Sequence, residues 1–162
     1  MITHEELIQV MTYDPQTGVF SWNKKRNGIR NMDNAGCVTK RGYVNIYINY
    51  KKYLAHRLAW FYVYGEWPSK QIDHINGDKS DNRISNLRLA NGSENQLNRW
   101  IDSRNTSGIK GVCWHKNNKK WQASASLGGK EYYLCQYVNI KDAEKAVVDF
   151  REKHHGGFCN HG

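Results

Sequence analysis

Apolar and polar positions along the chain change period several times, and each change marks an element. Thr3 and Glu6 form a capping-box pair, which predicts a short helix through about Met11 because each side chain satisfies a backbone N–H at the helix start. Asp14-Pro15-Gln16-Thr17-Gly18 reads as a turn and Val19–Trp22 as a strand. Gly42–Ile48 alternates with period two around Val44, Ile46 and Ile48, and Asn49-Tyr50-Lys51 turns that strand back into Tyr53-Leu54. His56–Tyr64 is an apolar, aromatic helix closed by Gly65, with Pro68 beyond. Ile72-Asp73-His74 predicts a short strand, and a polar loop over 76–81 leads to Ile84 and a second strand over Asn86–Leu89. Ser93 and Gln96 read as a second capping box, so a helix is expected from there to about Ile101.

The polar run Arg104–Gly108 has the composition of a linker. Beyond it, Lys110–Trp114, Trp121–Leu127 and Glu131–Tyr137 predict three strands, the last two joined by the hairpin turn Gly128-Gly129. Asn139 caps a helix whose apolar positions Ala143, Ala146, Val147 and Phe150 have the spacing of one buried face, and Gly156 stops it. Ala123 and Ala125 are small enough for that helix to lie close, while Gln122, Ser124 and Ser126 face the other way. The predicted fold class is α+β. Residues 1–103 form one domain around a strand–loop–strand–helix core at about 70–102, and residues 104–162 form a three-stranded antiparallel sheet packed on one helix.

Charge adds a partner to this outline. The 162 residues carry 24 basic and 15 acidic side chains, a net charge of +9. Residues 1–21 hold no basic and three acidic residues, and residues 22–57 hold nine basic and one acidic. Residues 58–102 hold five and six, and residues 103–162 hold ten and five. Two basic blocks thus flank a near-neutral centre, a layout that suits a polyanion, because Lys and Arg that neutralise phosphates release condensed counterions. In the first block Lys24, Lys25, Arg26, Arg30, Lys40 and Arg41 fall on loops around a sheet, as phosphate contacts or as a solvated charge run. Cys37, Cys113, Cys135 and Cys159 are scattered with no C-x-x-C spacing, so no zinc site is expected. The sequence offers no signal-peptide pattern and no apolar run of membrane-spanning length, and a reducing cytoplasm is the expected compartment.

The chemistry concentrates in Ile72-Asp73-His74-Ile75-Asn76-Gly77-Asp78-Lys79-Ser80-Asp81-Asn82-Arg83-Ile84-Ser85-Asn86-Leu87-Arg88. Asn86 follows His74 by twelve residues and Asn95 follows nine later. This segment resembles the HNH nucleases, most closely those of phages and homing introns, in which the last motif position is Asn rather than His. The resemblance spans roughly residues 12–100 and includes Tyr13-Asp14, His56-Arg57-Leu58-Ala59-Trp60 and Gly65-Glu66-Trp67-Pro68. It implies a ββα-metal nuclease domain and a metal-dependent DNA endonuclease.

Phosphodiester hydrolysis needs an activated water, charge neutralisation at the phosphate and help for the departing 3′ oxygen. His74, near its free pKa, can take the water's proton at neutral pH. One Mg²⁺ or Mn²⁺ held by hard oxygen ligands can serve the phosphate and the leaving oxygen. The resemblance gives Asp73 and Asn95 the ligand roles and Asn86 the task of orienting His74. Asn95 also lies in the first turn after the expected Ser93 cap. A lone Asp73 would read as a turn acceptor, Asn82 as a turn residue without chemistry, and His56 as a packed or capping histidine. Arg83 and Arg88 read as solvated charges.

Residues 107–158 resemble the plant ethylene-response-factor type of DNA-binding domain, also found appended to phage HNH nucleases. The resemblance rests on Ser107-Gly108-Ile109-Lys110-Gly111-Val112-Cys113-Trp114, Lys120-Trp121-Gln122-Ala123, Tyr133-Leu134 and Gly156-Gly157-Phe158. It implies a sheet laid in the major groove with Lys110, Cys113, His115, Ser124, Ser126, Glu131 and Tyr133 facing DNA. Several positions usually held by Arg are Cys113, His115, Ser126 and Glu131, which removes the strongest readers of guanine. The expected result is a backbone grip through Lys110, Lys116, Lys119 and Lys120 with modest specificity. The whole predicts an endonuclease acting on double-stranded DNA as a monomer or homodimer, off the membrane, in the cytoplasm of a bacterial host if phage-encoded. The rival readings are a non-catalytic DNA-binding protein with a decayed HNH fold, and a structural or RNA-binding phage protein.

Overall fold

The computed structural model describes residues 1–24, 32–98 and 101–161. Contacts divide the chain into two compact units, Met1–Ala90 and Asn91–Gly162.

In the first unit α1 (His4–Val10) opens on the expected capping box, with Thr3 accepting from Glu6 N and Glu6 accepting from Thr3 N. The chain then leaves the helix directly into β1 (Met11–Asp14), which pairs antiparallel with β2 (Val19–Trp22) in the register Met11↔Trp22 to Asp14↔Val19. The sequence reading carried the helix through Met11 and saw no strand there. Met11 and Tyr13 are buried while Thr12 and Asp14 are exposed, so the period is two, but over four residues it is too short to separate from a helix end. Between the strands the Asp14 carboxylate accepts from Gln16 N and Thr17 Oγ1, which fixes the turn.

A second sheet has the order β3 (Cys37–Val38), β4 (Val44–Ile48), β5 (Lys51–Leu54), all antiparallel. The β4–β5 turn places Asn49 and Tyr50 at φ 49° and 61°, the mirror-image hairpin geometry that matches strand twist. β5 runs straight into α2 (Ala55–Tyr64), which ends on Gly65 at φ 73°. After α2 come β6 (Gln71–His74) and β7 (Leu87–Ala90), a two-stranded antiparallel ribbon pairing Asp73 with Arg88 and His74 with Leu87. Leu7, Met11, Phe20, Ile46, Ile48 and Leu58 are fully buried in one cluster with Ile72 and Leu87, which ties the ribbon to the N-terminal elements. Each such side chain contributes about 1.5–3 kcal/mol relative to exposure.

In the second unit α3 covers Gly92–Leu97. Its capping box is Asn91 with Glu94, not Ser93 with Gln96: Asn91 Oδ1 accepts from Glu94 N, and Glu94 accepts from Asn91 N. Both pairs have the same spacing, and Asn91 prevails because it holds the extended backbone that a cap needs. The helix closes at Leu97 with Asn98 as its C-cap, short of the expected end near Ile101. The sheet order is β10-β9-β8, with β8 Val112–His115, β9 Lys120–Leu127 and β10 Lys130–Tyr137. Gly128 and Gly129, at φ 59° and 77°, make the β9–β10 turn. α4 (Ile140–His155) packs on β9, where Ala123 and Ala125 are buried as anticipated, and Val112, Ala123, Ala143 and Val147 form the core.

One glycine bears directly on the first unit. Gly18 has φ +75°, and a Cβ there would stand 2.4 Å from Arg83 N and 2.6 Å from the Asn82 carbonyl carbon. Both neighbours are backbone and cannot rotate aside. Gly18→Ala is therefore expected to lower unfolding stability by about 2 kcal/mol or more, read from the urea midpoint at constant m-value.

Candidate active site

His74 is the last residue of β6, and its side chain is 4% exposed. The ribbon orients it and the loop over 75–86 covers it. Ile75 N donates to Asn86 O at 2.9 Å, which continues the ribbon pairing by one step. The His74 Nε2 stands 3.5 Å from Asn82 Oδ1. Asn82 is itself fixed: its Nδ2 donates to Ser80 O at 2.9 Å, and its carbonyl accepts from Tyr13 Oη at 2.7 Å. The Asn86 side chain braces the loop, with Oδ1 accepting from Asn76 N at 3.0 Å and Nδ2 donating to Asp81 O at 2.9 Å. Asn86 thus reaches His74 through backbone, whereas Asn82, read from sequence as a turn residue without chemistry, meets the imidazole directly.

Asp73 precedes His74 and is 5% exposed. Its Oδ2 accepts from Arg88 Nε at 2.8 Å and pairs with Arg88 Nη2 at 2.7 Å, across the Asp73↔Arg88 register of the ribbon. Arg88 is accordingly half of a largely buried ion pair and not the solvated charge expected, whereas Arg83 is an exposed charge that also pairs with Asp81. A cation held next to a buried carboxylate lowers the cost of keeping it charged.

His56 and Tyr43 complete the surroundings. The His56 ring lies 5.1 Å from the His74 ring at 87°, and Tyr43 lies 5.5 Å from His56 and 6.2 Å from His74. Leu54 is the N-cap of α2 and His56 does not cap it; His56 is packed inside, 5% exposed. Burial, followed by the positive charges of His74 and Arg57 that protonation would meet, pushes the His56 pKa down to about 3. Burial also lowers that of His74, opposed by its hydrogen bond to Asn82 and by nearby carboxylates, Asp73 first. Both rings are neutral at pH 7.

Among the described residues no group of three His, Cys, Asp or Glu gathers that could hold a metal ion. The four cysteines are free thiols. Asp73 is the buried carboxylate of the first unit next to His74; Asn95 lies on α3 in the second unit, with its N–H on Asn91 O.

These residues match a known pattern. The model of the HNH endonuclease family covers residues 53–97, from the end of β5 through α3. Protein 3.8 of Escherichia phage T7 is 36% identical over 111 residues, which is 68% of this chain and 91% of that protein. The chain carries an HNH endonuclease domain. No solved structure matches it. The match begins ahead of the Asp73-His74 pair and takes in α2, so the HNH segment includes His56 as well as the ribbon.

The basic residues of this HNH chain fall into several settings. Lys24 is exposed, and Lys25, Arg26 and Arg30 lie outside the described residues. Arg41 lines a surface pocket of about 440 Å³ together with Lys40, Tyr43 and Lys52. In the second unit Lys116, Lys119 and Lys120 are exposed, whereas the Lys110 ammonium donates to Leu97 O and Asn160 O at 3.0 Å each. Ser124 pairs with Tyr133, and Ser126 with Glu131, across β9 and β10. The His115 Nδ1 accepts from Asn118 N at 3.2 Å. No helix among the described residues is long and apolar enough to cross a membrane.

The depressed histidine pKa values carry a stability signature. The His56 pKa falls from 6.5 in the unfolded chain to about 3 in the fold, so its contribution is fully present above pH 6.5 and is lost as pH drops towards 3. Between pH 7.5 and pH 5 the protein is expected to lose about 2 kcal/mol through this group, and His56→Phe should remove that part of the slope. Urea midpoints of both proteins at the two pH values measure it.

Proposed function

We propose that this HNH chain is a metal-dependent DNA endonuclease that hydrolyses phosphodiester bonds, leaving 5′-phosphate and 3′-hydroxyl ends. The observation that carries the reading is the adjacent pair Asp73 and His74, a carboxylate and a neutral imidazole, both buried at one end of the β6–β7 ribbon inside the segment that matches the family. The reading makes His74 the general base. A tautomer that donates from Nε2 to Asn82 Oδ1 keeps its lone pair on Nδ1 for the water's proton. The lowered pKa keeps the ring unprotonated and able to act at neutral pH.

Asp73 fits a hard divalent cation, being a buried carboxylate oxygen donor, and the resemblance adds the Asn95 amide oxygen. So small a protein donor set suits Mg²⁺ or Mn²⁺, which keep water and phosphate oxygens in their shells. Bound there, the ion would neutralise charge at the phosphate and the leaving oxygen. Asn86 serves His74 by holding the loop over it, and Arg88 holds the Asp73 carboxylate in place. The ion pair on Asp73 also favours a second reading, a non-catalytic DNA-binding protein, since it already engages the carboxylate.

The partner in this reading is double-stranded DNA. Lys24, Lys25, Arg26, Arg30 and Arg41 supply phosphate contacts from the first basic block. The second unit acts as a sheet-on-helix module of the ethylene-response-factor kind. There Lys116, Lys119 and Lys120 grip the backbone, with His115, Ser124, Ser126 and Tyr133 on the sheet beside it.

Supercoiled plasmid with Mg²⁺ or EDTA separates the two readings. His74→Ala should cut at a rate about a thousandfold below wild type with DNA affinity within a factor of two. Asp73→Ala should lose Mg²⁺-dependent cleavage and bind Mg²⁺ more weakly by calorimetry. Cleavage by wild type that survives EDTA would exclude the metal dependence, and no cleavage under any divalent ion would exclude the nuclease reading.

The grip has its own measure. Replacing Lys116, Lys119 and Lys120 together by Gln should flatten the plot of log affinity against log salt by about 2.7, at roughly 0.9 per phosphate contact. An unchanged slope would remove those lysines from the DNA interface.

A further inference from the structure

His56 stands out because its burial carries a cost that an apolar ring would avoid. It is 5% exposed, and its Nδ1 is buried with no hydrogen-bond partner. Buried polar atoms are almost always paired, and an unpaired one in a well-packed site marks either strain or function. A residue needed only to fill the space beneath α2 could be Phe or Leu, which leave no orphan nitrogen. His56 instead presents an imidazole to His74 at a centroid distance of 5.1 Å and an interplanar angle of 87°. At that angle the edge of one ring meets the face of the other, the arrangement in which the positive edge and negative face of two π-systems attract. Tyr43 lies 5.5 Å from His56 and 6.2 Å from His74, so the three rings form one packed set.

Two neighbours of the His74 ring differ in what carries them. The contact with Asn82 Oδ1, at 3.5 Å, is at the long limit for a hydrogen bond. The loop carrying Asn82 also contains Gly77, Asp78 and Ser80, which are partly or fully exposed. His56 sits on the first turn of a ten-residue helix within the core. Of these two neighbours, His56 is held by the stiffer element.

We infer that His56 is a positioning residue of the reaction, whose imidazole, and not merely its bulk, sets the plane of the His74 ring against Tyr43. The inference rests on the reading of His74 as the base. His56 touches neither water nor phosphate in this scheme. Its effect falls on the fraction of His74 rings aligned for proton transfer, and so on kcat and not on DNA binding.

The test uses full-length His56→Phe and His56→Ala with supercoiled plasmid and Mg²⁺, and His74→Ala in parallel. His56→Phe keeps a ring of similar size and loses both nitrogens. It is expected to melt no lower than wild type, to show kcat about three- to tenfold down, and to keep KM for DNA within twofold. His56→Ala should lower kcat further, and where it fails to fold His56→Phe alone decides. In the DNA-free protein the ¹⁵N resonances of the His74 ring should also move in His56→Phe, and a fall in kcat with KM unchanged separates positioning from loss of packing. Wild-type kcat and unmoved His74 resonances in a folded His56→Phe would overturn the inference and leave His56 as packing. If His74→Ala is inactive in that case, the base assignment stands without its support. If His74→Ala cleaves like wild type, the base assignment falls and takes the inference with it.

Discussion

Everything at this centre depends on holding a twelve-residue excursion, 75–86, over a ribbon of only two strands. Two-stranded ribbons are marginal in water, and this one pairs four residues on each side. It persists because Ile72 and Leu87 enter the cluster built by α1, the two N-terminal sheets and α2. The loop has no ladder of its own, so side chains stand in for backbone partners. Asn86 bonds Asn76 N and Asp81 O, Asn76 bonds Asp81, and Tyr13 reaches across from β1 to the Asn82 carbonyl. Each bond is worth only about 1 kcal/mol net, yet breaking one strands a partly buried polar group, which costs more. The abundance of Asn and Asp in this stretch follows, because their short side chains bond nearby backbone. Gly18 lets β1 and β2 press against Asn82 and Arg83 closely enough for the brace to form.

The parts legible in the sequence are those set by local pattern. α2, the C-terminal hairpin and α4 follow from apolar spacing and glycine turns over segments long enough to have a period, and the two ribbon strands from the apolar residues on either side of the polar loop between them. β1 and β3, of four and two residues, are too short for a period to show. The start of α3 turned on two overlapping capping pairs, and spacing alone does not choose between them. Asp73 and His74 were legible because they are neighbours in the chain. Asn82 and His56 were not, since their meeting with His74 is a product of tertiary packing: one comes from a loop that resembles any Asn-rich turn, the other from a helix eighteen residues upstream. A signal for Arg88 did exist. Once β6 and β7 are placed antiparallel, Asp73 and Arg88 fall opposite each other, where unlike charges attract.

Charge around the ribbon is paired locally. The central segment is near neutral because its charges cancel locally: Arg88 answers Asp73, Arg83 answers Asp81, and the Asp78 carboxylate is turned onto Ser80. Lys79 lies over the Tyr43 ring at 5.2 Å. Such a centre exerts little long-range pull on a polyanion, whatever it does at contact distance. Among the described residues, Lys40, Arg41 and Lys52 around their pocket and Lys116, Lys119 and Lys120 near the β8–β9 turn make no ion pair, so the unpaired positive charge lies outside the ribbon. At the imidazole itself several groups act together: burial lowers the His74 pKa, and the contact with Asn82 and the carboxylates of Asp73, Asp78 and Asp81 oppose that lowering.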